Sequence, residues 1–296
     1  MDIMDIIAQL IVSGIAVGGV YALIAMGFVL IYKATSIINF ATGEFMMIGA
    51  YICLTLLTYL KIHFAVIFVF TLIFAFILGV IIERIILRPL IGEPIISIIM
   101  VTIGLSGILR GIVEMIMTAE FRSFPDILPT KPWDIGLAIV PSTSLWGFGF
   151  AIICVIIFTL IFKYTRLGIA MRANASDQQV AQSMGINAKV VFALSWSFAA
   201  CAAAIGGIVI GNISGIHPNL GLSGLKVLPV VILGGLDSIG GAILGGFIIG
   251  ILENLAGGFV DPILPGFKEI APFIFLVFVL MVRPQGLLGK KRVERV

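Results

Sequence analysis

Three long stretches of this sequence contain no aspartate, glutamate, lysine or arginine. They cover residues 6–32, 135–162 and 190–225, which is 27, 28 and 36 positions respectively. A helix that crosses the hydrocarbon core of a bilayer needs about 20 consecutive apolar residues, because no water is present there to satisfy exposed backbone groups. The sequence therefore predicts a chain that crosses a membrane several times.

The composition leaves little room for a soluble domain. Hydrophobic residues make up 60% of the 296 residues, and charged residues make up 11%. Such values are typical of polytopic helical membrane proteins. We therefore expect an all-α transmembrane bundle that forms one domain over residues 1–296, with longer loops only at 114–134 and 163–189.

Apolar runs between the charge clusters predict about eight spans and one shorter element. The runs fall near residues 6–32, 40–60, 63–82, 95–113, 143–162, 190–212, 239–256 and 270–282. The short apolar piece 227–236 either crosses the membrane or re-enters it, and the sequence leaves both possibilities open. Acids but no bases precede the first run, so we do not expect a cleaved signal peptide.

The distribution of basic residues predicts the orientation of the chain. Lysine and arginine collect on the cytoplasmic side of membrane proteins. Most of the 18 lysines and arginines face the cytoplasm when the N-terminus lies outside and the C-terminus lies inside. In this N-out, C-in orientation the loop 163–189 is cytoplasmic, and the loop 114–134 lies on the opposite side.

A group of polar residues stands at the start of the second predicted span. It comprises Asn39, Thr42, Gly43 and Glu44. A carboxylate inside a bilayer is costly, and a partner or a water-filled cavity normally accompanies it. Two interpretations stay open. The side chains line a polar path or fix a helix break beside it, or they form a solvated first turn at the cytoplasmic interface, where the helix dipole favours Glu44.

The loop 163–189 contains a capping pattern that predicts a short helix near residues 177–184. In a capping box of this kind, the Ser176 side chain accepts a hydrogen bond from the Gln179 amide, and the Gln179 side chain reaches back to the cap. Gly185 is placed to end the helix, because glycine readily adopts the left-handed conformation found after helix C-termini.

The same short helix carries an apolar stripe. Asp177 suits the positive end of the helix dipole, and the stripe consists of Val180, Ala181 and Met184. Some other surface must cover this stripe. It packs either on the membrane domain of the same chain or on a separate cytoplasmic subunit that pushes on the helix.

The sequence offers no constellation of residues for catalysis or metal binding. No nucleophile, base and orienting group occur together, and neither His63 nor His217 has further ligands at suitable spacing. We therefore expect no enzyme activity, bound cofactor, metal or nucleic acid.

Gly289 and Lys290 come nearest to a nucleotide-binding P-loop, but Lys291 follows them and no strand precedes them. If ATP powers this protein, another chain hydrolyses it.

Three motifs occur in order along the chain. The first is GGVYAL at 18–23 with INFATGEFMMIGAY at 38–51, the second runs from GIAMRA at 168–173 to Gly185, and the third is VILGGLDSIGGA at 231–242. Together they resemble the permeases of branched-chain amino-acid ABC importers over essentially the whole chain. Thr42 stands where that family more often has a histidine.

The resemblance implies a multi-pass permease subunit of a prokaryotic plasma (inner) membrane. The implied partners are a second related permease, two ATP-binding subunits that hold ATP and Mg²⁺, and an extracytoplasmic substrate-binding protein. The loop 163–189 then forms a coupling helix that docks on an ATPase, through Arg172, Ser176, Asp177, Gln179, Val180, Ala181, Met184 and Gly185. The translocation path is expected beside Asn39, Thr42, Gly43 and Glu44.

Two other transport functions stay open at this point. A stand-alone secondary transporter or channel driven by an ion gradient needs intramembrane ionisable groups, and Glu44 and Glu253 could serve in that role. Related ABC permeases for urea and short amides share the same motifs, so the substrate is less well defined than the family.

Overall fold

The computed structural model describes residues 3–91, 93–118, 120–125, 132–134 and 139–289. This part of the chain is almost entirely helical. The helices are α1 (Ile3–Thr35), α2 (Thr42–Leu60), α3 (Phe64–Ile82), α4 (Ile95–Met117), α5 (Ser142–Tyr164), α6 (Arg166–Ser176), α7 (Gln178–Ser183), α8 (Ala188–Ser214), α9 (Leu220–Ser223), α10 (Val227–Gly234), α11 (Ile239–Phe259) and α12 (Phe267–Val282). Two antiparallel strands of two residues each, Trp133–Asp134 and Ile139–Val140, lie between α4 and α5.

Short tighter or wider turns extend or join some of these helices. A π-helical turn, Glu83–Leu87, continues α3 and leads into the 3₁₀ turn Arg88–Leu90. A second 3₁₀ turn, Gly224–Lys226, joins α9 to α10. With these turns included, the third span runs from Phe64 to Leu90 as one helical segment.

Seven helices of the described residues are long and apolar enough to cross a membrane. They are α1, α2, α3 with its extension, α4, α5, α8 and α11. The expected all-α membrane bundle is therefore confirmed. The last predicted span corresponds to α12, whose 16 residues fall short of the roughly 20 that a straight crossing needs. The N-out, C-in orientation stays a prediction.

The bundle is built around α1 and α8, which are the most buried of the seven spans. α1 packs against α5, α8, α10 and α11, while α8 also packs against α2 and α3. By contrast, α3, α4 and α5 leave many large apolar side chains exposed. Such exposure is expected for helices that face lipid.

Direct backbone contact joins α1 to α11. A Cβ atom on Gly18 would lie 2.7 Å from the Gly246 carbonyl oxygen, and one on Gly250 would lie 2.5 Å from the Gly14 oxygen. In each helix the two glycines are four residues apart, so they line one helix face and allow close approach. The glycine spacing in the sequence thus corresponds to a real helix contact within this chain.

The short apolar element of the sequence belongs to an interrupted helix. α9, its 3₁₀ turn and α10 together cover Leu220–Gly234, which is too short to cross a bilayer as a straight helix. Gly235 ends the segment with φ of +105°, a conformation that only glycine adopts readily. The segment packs against the start of α2 on one side and against α11 on the other.

The loop 163–189 contains two helices, although the sequence pattern predicted only one. The additional helix is α6, and its N-cap residue is Thr165. The Thr165 hydroxyl oxygen accepts a hydrogen bond from the Gly168 amide at 3.1 Å. α6 was missed because Gly168 and several small or polar residues leave no clear apolar periodicity over Arg166–Ser176.

Candidate functional site

The chain between α1 and α2 forms a break that is buried inside the bundle. Asn39 and Thr42 are both 0% exposed. The Asn39 Oδ1 atom accepts a hydrogen bond from the Ala41 amide at 3.0 Å, and the Thr42 hydroxyl donates to the Asn39 carbonyl at 2.9 Å. Both side chains therefore satisfy backbone groups that the break leaves without helical partners.

Glu44 occupies the first turn of α2 and is 2% exposed. Its Oε1 atom accepts a hydrogen bond from Arg110 Nη2 of α4 at 2.6 Å, whereas its Oε2 atom has no hydrogen-bond partner among the described residues. The interpretation of Glu44 as part of a solvated turn is therefore wrong. Burial occurs because the break carries this turn inside the bundle, where Arg110 balances the carboxylate charge.

Arg110 was not identified from the sequence, although a signal was present. It is an ionisable residue inside the predicted span 95–113, and α4 continues beyond that span to Met117. An arginine at such a position indicates a functional site or a buried partner. The sequence could not show that the partner is Glu44, because the two residues lie 66 positions apart.

Three glycines bring α2 and α9 into contact beside Glu44. A Cβ atom on Gly43 would overlap the Gly221 carbonyl oxygen, and one on Gly224 would overlap the Gly43 Cα atom. A Cβ atom on Gly221 would overlap Glu44 Oε2. The two helix breaks therefore meet at Glu44, which is the only acidic or basic residue of α2. Interrupted helices of this kind surround binding sites in many transporters.

A second buried polar network connects α1, the 3₁₀ turn before α10, α11 and α12. The Tyr21 hydroxyl donates to Glu253 Oε2 at 2.7 Å. The Lys226 ammonium lies 3.5 Å from Glu253 Oε1 and 2.5 Å from Glu269 Oε2. Glu253 is 3% exposed, so the network attaches the interrupted helix to the core of the bundle.

The cap of α7 differs from the predicted capping box. Asp177, not Ser176, is the N-cap residue, and its Oδ1 atom accepts hydrogen bonds from the Gln179 amide at 2.9 Å and the Val180 amide at 3.0 Å. Ser176 is the last residue of α6, where its hydroxyl donates to the Arg172 carbonyl at 3.0 Å. The Ser176 side chain is therefore used by the preceding helix, which the sequence pattern did not reveal.

The end of α7 follows the prediction for Gly185. This residue has φ of +85°, and its amide bonds to the Gln182 carbonyl while the Ile186 amide bonds to the Ala181 carbonyl, both at 3.0 Å. These two bonds form a Schellman motif. The helix is therefore capped at both ends, which makes it a well-defined element despite its six residues.

The apolar stripe of α7 divides between the interior and the surface. Ala181 is 3% exposed and packs inward, whereas Val180 is 57% exposed and Met184 is 79% exposed. The interpretation that the stripe packs on its own chain therefore holds for Ala181 alone, and docking of Val180 and Met184 on a separate subunit stays a prediction. Ala181 seats the helix on its own chain, and Val180 and Met184 leave an apolar surface that none of the described residues covers.

Two contacts attach α6 to the ends of the spans. Arg172 Nη1 donates to the Phe162 carbonyl, and its guanidinium stacks over the Phe162 ring. Asn174 Nδ2 donates to the Ala34 carbonyl at 3.2 Å. Arg172 thus binds the end of α5 instead of extending outward. Asn174 was missed in the sequence because a single asparagine in a loop carries no distinguishing signal.

We expect the Asp177→Ala substitution to loosen the start of α7. Loss of an N-cap costs about 1 kcal/mol, so hydrogen exchange at the Gln179 and Val180 amides should accelerate by about fivefold. Ser176→Ala is the matched control, because the Ser176 hydroxyl serves α6. Equal acceleration of these two amides in both variants would contradict the assignment of the cap.

The described residues contain no group of three or more histidine, cysteine, aspartate or glutamate side chains arranged to hold a metal ion. Cys53, Cys154 and Cys201 are free and buried. All three lie within spans, where a small thiol packs as an apolar side chain.

Comparison with known proteins identifies the family of this chain. Residues 10–282 match the family described as "branched-chain amino acid transport system / permease component". The high-affinity branched-chain amino acid transport permease LivH of Escherichia coli (strain K12) is 32% identical over 97% of this chain and 97% of its own length. BraD of Pseudomonas aeruginosa, with the same description, has the same identity and coverage. The probable branched-chain amino acid permease LivH of Methanocaldococcus jannaschii is 29% identical over 96% of this chain and 94% of its own length. No solved structure matches the chain. Its sequence and its helical membrane architecture together show that the chain belongs to the family of permease components of branched-chain amino acid transport systems.

Proposed function

We propose that this chain is the membrane-spanning permease subunit of an ATP-driven importer in a prokaryotic plasma (inner) membrane. It moves branched-chain or related amino acids, delivered by an extracytoplasmic binding protein, into the cytoplasm. Two separate ATP-binding subunits hold ATP and Mg²⁺ and hydrolyse ATP, and a second related permease completes the membrane part.

The double-capped helix α7 is the observation that carries this proposal. It presents Val180 and Met184 outward, while Ala181 and the contacts of α6 hold its other side on the bundle. An exposed apolar pair on a stiff, attached helix is suited to docking in a groove of another protein. Since α6 is attached to the ends of α1 and α5, a push on α7 passes directly to the spans.

The buried carboxylates favour ATP-driven transport over coupling to an ion gradient. Glu44 is paired with Arg110, and Glu253 is paired with Lys226. A cation-coupling site needs a carboxylate that is free to bind the ion, and a basic partner already neutralises each of these. Gradient-driven flux through the reconstituted chain alone would favour a secondary transporter instead.

The relatives support amino acids as the substrate class. LivH and BraD are described as high-affinity branched-chain amino acid permeases, and each aligns with nearly the whole chain. Permeases for urea and short amides share the same motifs. Uptake of urea but not of leucine by the assembled transporter would assign the chain to that class.

We expect Met184→Asp to weaken the association of the permease with its ATP-binding subunits. A charge on a docked apolar residue should reduce affinity by at least about tenfold, as for other central interface residues. The measurement is the amount of ATPase subunit that co-purifies with the tagged permease, together with ATP-driven uptake of L-leucine in proteoliposomes.

Ile263→Asp is a suitable control, because Ile263 is 77% exposed and lies in the loop between α11 and α12, away from α6 and α7. This variant should retain both the ATPase subunits and transport. Met184→Asp is conservative for folding, since Met184 is largely exposed in this chain. If Met184→Asp left co-purification and uptake unchanged, the assignment of α7 as the coupling element would be wrong.

A further inference from the structure

A pocket lies between α7 and the ends of the spans. It has a volume of about 160 Å³ and is bordered by the end of α1, the turns that follow α3, the start of α4, the first residue of α7 and the first half of α8. A cavity of about 150 Å³ in a protein core can hold a benzene molecule. The pocket is therefore large enough for a branched aliphatic group of about four carbons.

The interior of this pocket is apolar, whereas its rim is polar. Glu93 and Gln178 line the pocket and are both exposed, so they stand where it opens to water. The interior is formed by buried side chains, which include Leu87, Ile98, Phe192 and Trp196. An enclosed apolar space with a few polar groups at its edge is the usual composition of a small-molecule site.

Two polar side chains at the pocket are already satisfied by their own chain. Both carboxylate oxygens of Glu83 accept hydrogen bonds from Arg88, at 3.2 and 2.8 Å. The Thr35 hydroxyl donates to the Ile31 carbonyl at 2.8 Å and accepts from the Ile37 amide at 3.3 Å. Neither Glu83 nor Thr35 therefore needs a ligand.

The two polar side chains at the rim are different. Neither Glu93 nor Gln178 forms a side-chain hydrogen bond or ion pair with any described residue. Glu93 offers a carboxylate whose charge is not neutralised, and Gln178 offers an amide that can donate two hydrogen bonds. A ligand in this pocket thus meets an anion, an N–H donor and an apolar space.

We propose that this pocket binds the imported amino acid after its release into the cytoplasm. The aliphatic side chain enters the apolar interior, the ammonium group pairs with Glu93, and the carboxylate accepts a hydrogen bond from the Gln178 amide. This inference rests on the proposed function, because that function places α7 in the cytoplasm and makes a branched-chain or related amino acid the transported product.

A ligand in the pocket joins α7 to the membrane spans. Gln178 is the first residue of α7, and Glu93 directly precedes the N-cap of α4. A molecule that bonds to both residues favours the arrangement in which α7 stays close to α4. Since the ATP-binding subunits are proposed to act on α7, accumulated product should slow the transporter.

The first test measures binding of amino acids to the isolated permease. Trp196 lines the pocket, whereas Trp133 and Trp146 are 52% and 50% exposed, so Trp133→Phe/Trp146→Phe leaves one tryptophan as a reporter. We expect L-leucine to change the Trp196 fluorescence in a saturable manner with a Kd in the millimolar range. Glycine, which lacks the side chain, and isocaproate, which lacks the ammonium group, should not. No response to leucine, or the same response to all three solutes, would overturn the proposal.

Glu93→Gln distinguishes this pocket from any leucine site within the membrane. Loss of the charge should weaken leucine binding about fivefold, as expected for a partly exposed ion pair. Glu114→Gln is the matched control, because Glu114 is an exposed glutamate at the opposite end of α4. It should leave the Kd unchanged. If Glu93→Gln bound leucine as tightly as the unaltered chain, the fluorescence response would arise elsewhere and the proposal would be wrong.

The effect on transport is tested with the complete transporter in proteoliposomes whose lumen contains ATP, with or without millimolar L-leucine. Luminal leucine should slow ATP hydrolysis about fivefold in the unaltered complex, and the ratio of the two rates should return towards one in Glu93→Gln. Hydrolysis that luminal leucine does not slow would overturn the proposal. If the unaltered complex does not take up leucine at all, the proposed function itself is wrong and this inference falls with it.

Discussion

Replacement of Gly246 by leucine should prevent α1 and α11 from packing together. A Cβ atom on Gly246 would lie 2.7 Å from both the Gly18 carbonyl oxygen and the Ala22 amide nitrogen. Both neighbours are backbone atoms of a central helix, so they cannot rotate away as a side chain could. Overpacking of this kind costs about 3 kcal/mol. The expected result is loss of the monodisperse protein in detergent, measured by size-exclusion chromatography after stepwise heating.

Gly104 of α4 supplies the control for this prediction. Gly104→Leu makes the same chemical change on a span, but a Cβ atom there meets nothing within 4 Å. The isolated chain should therefore keep its thermal stability. If Gly246→Leu and Gly104→Leu gave the same melting profile, the close contact between α1 and α11 would not exist as described.

The second large effect is expected from Lys226→Met. This change leaves the Glu253 carboxylate buried without a positive partner, while Tyr21 remains as its only hydrogen-bond donor among the described residues. Loss of one member of a buried ion pair costs about 3 kcal/mol or more. We expect a marked decrease in the melting temperature of the purified protein, because the interrupted helix loses the ion pair that joins it to Glu253 of α11.

Substitutions of the two partners of Lys226 show whether the loss of stability comes from its charge. Lys226→Met/Glu253→Gln should recover most of the stability, since the amide still accepts the Tyr21 hydroxyl and no charge is left unpaired. Glu269→Gln should change stability by less than about 1 kcal/mol, because the Glu269 side chain is 60% exposed. A failure of the double variant to recover would mean that Lys226 acts through its packing and not through its charge.

The membrane architecture was largely predictable from the sequence, because charge-free runs of sufficient length have few alternatives to membrane helices. The end of α7 was also predictable, since Gly185 follows a local rule that involves only neighbouring residues. The Gly14–Gly18 and Gly246–Gly250 spacings indicated close packing. They did not indicate which helix would be the partner, because such spacing defines a face of one helix and carries no information about the other.

The polar sites were less accessible to sequence reasoning. Glu44 was recognised as unusual, but its burial depends on Arg110 and Gly221, which lie far away in the chain. The sequence assigned the N-cap of α7 to Ser176 because the capping-box pattern considers only neighbouring residues. Because α6 ends at Ser176, the N-cap of α7 is Asp177 instead. In each case the deciding contact is made by an element that the local sequence does not reveal.

The contact between α1 and α11 also limits how this protein can change shape. Where two helices touch through glycine backbone, no side chain is present whose rotamer could change to absorb sliding between them. A small relative shift would therefore bring backbone atoms into collision, and close-packed interiors resist such shifts. We expect α1 and α11 to move as a single rigid body. The displacement that transport by alternating access would require must then take place at the edges of this body, where α9 and α4 meet the start of α2.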